Sequence, residues 1–387
     1  MIASRYDVLV LGGGPAGLAM AIDLRQRGLV SILVVEAGDG PKERFGETVP
    51  PDILVPLHRL GLSSRFRQAG HLPCPGSVSS WGRASVGYND FILNPMGPAW
   101  HLNRPRFEGM LAERAVQSGA TLECRTRFVG GDFRGDGFEV LLRHQSDREY
   151  RTHADWIIDA TGSKARFARQ RGAKQAVHDR MIGIARFASL KSGSFGSQTI
   201  LEAARQGWWY GARLPENRVV TMFVTEPENA SHWTANGHAR WRDGLQSTNL
   251  LGPRIEACDL AEEKVICFPV LSSILDRMEG EHWLAIGDAA SCYDPISSQG
   301  IYKALIDAAD AGPHVAAAMG FGKTPPWRYS SRLTDRFRDY LANRAYLYGL
   351  EQRWPDSMFW RRRTQATEPE GLAEVEATPN RKLDSNR

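Results

Sequence analysis

YDVLVLGGGPAGLAMAIDLRQRGLVSILVVE, residues 6–36, decides the fold class. Its opening YDVLVL has the composition of a strand buried on both faces. Gly12, Gly14 and Gly17 follow in G-x-G-x-x-G spacing, and LAMAIDLRQRG then reads as a helix. The first glycine permits a tight turn, the second lets backbone approach a pyrophosphate, and the third lets helix and strand pack closely. The helix N-terminus faces the phosphate charge. A second strand, SILVVE, ends at Glu36, 19 residues after Gly17, at the distance of a ribose-binding acid. Glu36 is therefore expected to accept hydrogen bonds from an adenosine ribose. Spacing alone does not separate FAD from NAD.

The rest of the 387-residue chain agrees with an α/β enzyme. A 42% hydrophobic and 24% charged composition supports a sizeable core and rules out global disorder. No run approaches the roughly 18 apolar residues of a bilayer span, and the first apolar run is too short for a signal peptide. No membrane association and a cytoplasmic location are expected. The net charge of +4 comes from 48 basic and 44 acidic side chains spread along the chain, so no nucleic-acid partner is expected. Five scattered cysteines have no metal-binding or redox spacing, and no metal is expected.

Between residues 181 and 270, MIGIARFASL, TILEAARQGWWYGARLP, RVVTMFVTE and KVICFPV read as antiparallel strands. SVSSWG and DFILNPM in the insert 71–100 are expected to join that sheet. The expected organisation is a Rossmann-type FAD-binding domain in three parts (1–70, 101–180, 276–326) and a discontinuous antiparallel β-sheet substrate domain (71–100, 181–275). A single long C-terminal helix (327–363), stopping near Pro355, and a disordered tail (364–387) follow. The tail has no aromatic residue and much Glu, Pro and Thr.

GGGPAGL, with Pro15 and Ala16 inside the glycine spacing, resembles the FAD-binding start of the para-hydroxybenzoate hydroxylase and tryptophan halogenase-like superfamily of FAD-dependent monooxygenases. Two further segments carry the same resemblance. WIIDATG, ending in Asp159 and Gly162, is similar to the strand that returns to the dinucleotide. WLAIGDAASCYDPISSQG fits a GD-x6-P pattern through Gly287, Asp288 and Pro295. The resemblance implies that Asp288 holds the ribityl chain and Pro295 lies near the flavin face. It also implies that a helix starting near Gln299 and Gly300 points its amides at the flavin C2 carbonyl and N1. A helix N-terminus there stabilises the negative charge of reduced flavin. No second G-x-G-x-x-G follows a later strand, which disfavours a reductase with its own NAD(P)H domain.

RFGETVPPDILVPLHRLGL, residues 44–62, resembles the strap of the halogenase-like branch, implying cofactor contacts from Arg44 and Glu47. Together with HLPCPGSVSSWG, LNRPRFE, GWWYGARLP and EQRWPDSMFWRRR, it resembles the flavoprotein maturases of tryptophylquinone-containing amine oxidases and dehydrogenases. Arg104 would then reach the flavin or its phosphates.

That resemblance implies hydroxylation of an electron-rich ring, a Trp side chain in a partner protein, through a flavin C4a-hydroperoxide. Molecular oxygen is the co-substrate, with electrons from NAD(P)H or a separate flavin reductase. Alternatives are a flavin-dependent halogenase, a small-molecule aromatic hydroxylase and a non-catalytic flavoprotein assembly factor. Against the halogenase, no lysine lies between Lys42 and Lys164, where that chemistry needs one. His71, Asp90 and His101 are the candidate polar groups near substrate. Trp81, Trp208, Trp209 and Tyr210 are candidates for stacking on an indole. The 361–363 arginine run reads as a solvated helix end.

Overall fold

The computed structural model describes residues 2–191, 195–234, 237–259 and 265–364. Of the tail expected over 364–387, Thr364 closes the last helix, and the remainder lies outside the described residues.

The apolar strands Arg5–Leu11 and Ile32–Val35 pair in parallel inside an eight-stranded sheet, with Glu149–Asp159 and Trp283–Ala285 on one side and Thr121–Glu123 on the other. The register aligns Leu11 with both Val35 and Asp159, Asp159 with Ala285, and Val35 with Glu123. Gly12, Glu36, Ala160 and Ile286 thus leave the sheet along one edge, at the carboxyl ends of its parallel strands. That edge is where open α/β sheets bind ligands. Helix Pro15–Gln26 packs on the sheet with residues 16–24 all buried.

A nine-stranded, mostly antiparallel sheet forms the second layer. In order it runs through Ser291–Cys292, Ile266–Leu275, Gln175–Leu190, Arg218–Thr225, Gly207–Leu214, Thr199–Ala204, Gly76–Ser80 and Gly87–Asp90, with the ninth strand, Cys258–Asp259, pairing with the end of Gln175–Leu190. The insert strand Gly76–Ser80 enters it in parallel beside Thr199–Ala204. A small sheet of Thr48–Val49, Ala99–His101 and Leu72–Cys74 joins the layers. The α/β class with a large antiparallel sheet is as expected.

Three local expectations differ. Of DFILNPM only Asp90 lies in the large sheet, and the chain turns over residues 91–97. The stretch between Thr225 and Ile266 is partly helical, with helices Ala230–Thr234, Gly237–Gln246 and Gly252–Ile255. Trp241, Leu245 and Leu251 from this stretch cover one face of the large sheet, against Trp209 and Phe223. The expected single C-terminal helix is two, Tyr329–Gly349 and Met358–Thr364. The break follows from side chains at its start: Glu351 accepts from the Gly82 amide at 2.8 Å and pairs with Arg353, which donates to the Ser80 carbonyl. Those bonds draw the chain sideways before Pro355, whose ring cannot supply a backbone donor. Tyr348, Phe359 and Trp360 then cover the sheet's other face. Among the described residues, no helix is long and apolar enough to cross a membrane.

Candidate active site

The glycine turn tests whether the residues fit a dinucleotide. A Cβ at Gly12 (φ +115°) would lie 2.2 Å from the Ala160 carbonyl oxygen, and one at Gly17 would lie 2.0 Å from the Gly12 carbonyl oxygen. Both glycines are demanded by packing. A Cβ at Gly14 would meet nothing within 4 Å, so this position faces a cradle rather than the protein. Gly14 caps the Pro15–Gln26 helix without a side-chain hydrogen bond, leaving first-turn amides free for an anion. Ala16 is buried against Gly287. Glu36 accepts from the Gly13 amide and from the Gly38 amide, both at 2.9 Å, which fixes its carboxylate at the cradle rim. These features fit the adenosine and pyrophosphate of FAD.

Asp159 plays a different part. It is fully buried, one oxygen accepting from the Thr161 amide and hydroxyl and the other from the Ala168 amide. It shapes the turn that carries Gly162, itself at φ +69° with open space where a Cβ would sit. Asp288, just after the Trp283–Ala285 strand, presents surface yet is crowded by protein, and that crowding raises its carboxyl, with Lys303 opposing. Pro295 opens a short turn, and Gln299 and Gly300 begin the 19-residue helix Gly300–Ala318 with no side-chain cap and open space at Gly300. These amides are available to a flavin edge.

Sequence reading missed what holds that turn. Asp294 accepts from the Ile296 amide at 3.0 Å, from Arg344 Nε at 3.0 Å and from the Tyr348 hydroxyl at 2.8 Å. The C-terminal helix Tyr329–Gly349 thereby braces the Pro295 turn. Asp294 adjoins Pro295 in sequence, but nothing local predicts its distant partners.

The strap lies beside the cradle. Arg104 is buried and donates to the Phe45 carbonyl at 2.7 Å, to the Gly46 carbonyl at 3.1 Å and to Glu108 at 2.5 Å. Its two terminal nitrogens bond to the strap and to its own helix, its Nε is buried without a partner, and its charge acts on Asp288. Arg44 stands between two carboxylates, 3.9 Å from Glu36 and 3.8 Å from Glu108. Glu47 is buried, one carboxylate oxygen accepts from the Gly46 amide and the other has no partner. Burial, partly offset by Arg104, pushes its carboxyl up to about 7. Glu47 borders a cleft of about 260 Å³, lined also by Arg106, Phe187, Leu214, Glu216 and Arg218.

Of the other candidates, His101 and Tyr210 are joined by one hydrogen-bond chain and Trp81 packs on Trp208, while His71, Asp90 and Trp209 lie apart from both. His101 is fully buried, with Nε2 2.9 Å from the Thr199 hydroxyl, and Thr199 lies 3.3 Å from the Thr48 hydroxyl. Thr48 in turn meets the Tyr210 hydroxyl at 2.7 Å, so Tyr210 ties the strap to the large sheet. His71 accepts from the Asn103 amide at 3.2 Å. Burial pushes both histidines down to about 4, so they are neutral near pH 7. Asp90 is exposed on the outermost strand. Trp208 and Trp209 do not form one wall, because successive strand residues point to opposite faces. Trp208 packs with Trp81 and Tyr348 on one face, and Trp209 with Trp233 and Trp241 on the other. Trp81 donates to the Leu347 carbonyl at 2.7 Å, which makes it a bridge to the C-terminal helix.

Comparisons with known proteins agree with this geometry. The chain is 26% identical over 359 residues to the putative FAD-dependent oxidoreductase LodB of Marinomonas mediterranea, covering 92% of this chain and 96% of that protein. Its fold is similar to the myxobacterial chondrochloren halogenase CndH, with TM-score 0.84 and 21% identity over 96% of this chain and 88% of that one. It is also similar to QhpG, described as a peptidyl tryptophan dihydroxylase essential for tryptophylquinone cofactor biogenesis, with TM-score 0.73 and 22% identity over 95% and 80%. Residues 5–331 match the family described as FAD binding domain. With that match spanning most of the chain and a cradle that fits the dinucleotide, the protein belongs to the FAD binding domain family and is an FAD-dependent oxidoreductase.

Proposed function

We propose that this protein is a flavin-dependent monooxygenase that hydroxylates an electron-rich aromatic ring, a Trp side chain of a partner protein, during maturation of a tryptophylquinone cofactor. The chemistry of the strap-side cleft carries the reading. A buried carboxyl near pH 7, Glu47, stands beside apolar Phe187 and Leu214, and every cation lining the cleft is an arginine. Lys303, on the Gly300–Ala318 helix, is buried and committed to Asp307 at 3.1 Å. Oxygen insertion needs a dry apolar site for the ring and a proton for the oxygen that leaves as water, whereas the halogenase resemblance calls for a lysine.

Bound FAD, once reduced, supplies the electrons that activate molecular oxygen. The chain's own residues divide the remaining work. The 12–17 turn and Glu36 bind the dinucleotide, and the Gly300 helix terminus stabilises charge on the reduced ring. Glu47 holds a proton at the cleft, where Phe187 and Leu214 supply the apolar part of a lining that also carries Arg44, Arg104, Arg106 and Arg218. Electrons come from NAD(P)H or a separate flavin reductase. The cleft of about 260 Å³ has room for a single aromatic ring. The dihydroxylase likeness supports that substrate class; the halogenase likeness supports halogenation as the second reading.

The test uses FAD-loaded, reduced protein mixed with oxygen and excess bromide. A precursor protein or long peptide carrying the target Trp should gain oxygen mass and no bromine, while free tryptophan should consume reduced flavin without product. Bromine incorporation, or well-coupled hydroxylation of a free aromatic metabolite alone, would overturn the reading.

A further inference from the structure

The strap carries one aromatic side chain, and it is stacked on two others. Phe45 lies 5.0 Å from Phe187 with ring planes 17° apart, and 5.0 Å from Phe268 with planes 14° apart. Equal separations and near-parallel planes describe a three-ring stack with the strap's ring in the middle.

The outer rings belong to paired strands of the large sheet. Phe268 lies opposite Gly183, where a Cβ would come within 2.5 Å of its ring; only glycine lets the ring lie there. Phe187 is backed by the Arg218 guanidinium, 4.6 Å from its ring centre. The outer rings are therefore set by the sheet, whereas Phe45 rides on a loop bounded by Gly40 and Gly46, both at positive φ. The Phe45 carbonyl accepts from Arg104 at 2.7 Å, so the strap backbone is held by a contact that does not involve the ring. The slot adjoins the cleft, since Phe187 lines both.

We propose that the gap between Phe187 and Phe268 is the binding site for the aromatic ring of the substrate, an indole side chain on a polypeptide, and that Phe45 is a resident ring which the substrate displaces. The proposal rests on the monooxygenase reading above for the class of substrate. The physical case is exchange. Two parallel π-faces held by the sheet would lose their contacts if nothing filled the slot, and a second flat ring restores what Phe45 gives up. Glu47, two residues along the strap, then stands at the cleft beside the bound ring.

Binding is measured on the FAD-loaded oxidised protein, without reductant, so that no turnover occurs. The probe is a peptide with a single 5-fluorotryptophan, titrated by fluorine NMR. Phe45→Ala removes the competitor and should tighten peptide binding by about tenfold, the scale of an aromatic stacking contact. Phe268→Leu should weaken binding by a similar factor, both alone and combined with Phe45→Ala. If Phe45→Ala fails to fold or to hold FAD, Phe45→Leu, which keeps apolar volume without a stackable ring, carries the same expectation. Affinity indifferent to position 45 or to position 268, or no binding to any variant, overturns the slot. Oxygen addition is assayed separately: tightening without hydroxylation leaves the slot standing and sinks the reaction reading, whereas hydroxylation with affinity indifferent to both positions does the reverse.

Discussion

A methyl group at position 14 would project into open space, while one at position 12 or 17 would strike a backbone oxygen. The three glycines of one motif therefore fail in different ways. Gly14→Val should leave the folded protein intact and abolish FAD binding, because the added side chain occupies the path of the pyrophosphate. The check is bound-flavin absorbance after FAD addition and gel filtration, beside a thermal melt of the FAD-free protein. Unchanged FAD affinity in the variant would show that the pyrophosphate does not pass over Gly14. Glu36 was legible from spacing alone, and its bonds to Gly13 and Gly38 agree with a rim position. The hydrogen bonds of Arg104 were not, since tertiary packing brings the carbonyls of Phe45 and Gly46 to its guanidinium.

At the scale of elements, the C-terminal arginine run gives the sharpest contrast. Arg361 is exposed, whereas Arg363 is buried and pairs with Asp179 at 2.8 Å and Glu226 at 2.8 Å. Asp179 also pairs with Arg344, which reaches Asp294. A chain of buried charges thus joins the last helix, the large sheet and the Pro295 turn. Removing one member of a buried ionic set leaves its partners desolvated and unpaired, at a cost of about 3–5 kcal/mol. Arg363→Ala should lose stability on that scale in urea unfolding, and Arg361→Ala should stay within about 0.5 kcal/mol of the parent. Equal effects at the two positions would contradict the burial of Arg363. The solvated-end reading failed for Arg363 because helical periodicity does not reveal that the helix docks on its charged side.

For the whole molecule, Glu47, His71 and His101 are among the buried groups that shape the pH response. Glu47, pushed up to about 7 from 4.5, keeps a proton in the folded state that the unfolded chain has released, so its contribution to stability falls as pH rises from about 4.5 to about 7. His71 and His101, pushed down to about 4 from 6.5, bind protons more readily when unfolded, so their contribution is lost as pH falls through that window. Burial also pushes up the carboxyls of Asp23, Asp159 and Asp288 and pushes down His178 and His314, so the contribution of Glu47 is isolated by substitution at that position. Glu47→Gln should abolish the decline and gain up to about 3 kcal/mol at pH 8 relative to the parent, with little gain at pH 4.5. Urea unfolding at pH 4.5, 6.5 and 8 checks this; a gain independent of pH would mean that Glu47 is not titrating in the folded protein.

Local patterns determined the dinucleotide half of this protein. Glycine spacing, a buried strand on either side and a carboxylate at the right distance are short-range features, and parallel pairing of apolar strands admits few other arrangements. The GD-x6-P segment belongs with them, because a strand end and the following helix start are again near neighbours in sequence. What only the tertiary structure decided lies across long sequence separations. It broke the C-terminal helix through Glu351 and Gly82, and brought Phe45 between Phe187 and Phe268. In each case the deciding contact joins residues scores to hundreds of positions apart, and side-chain packing and buried hydrogen bonding, which local periodicity does not encode, select it.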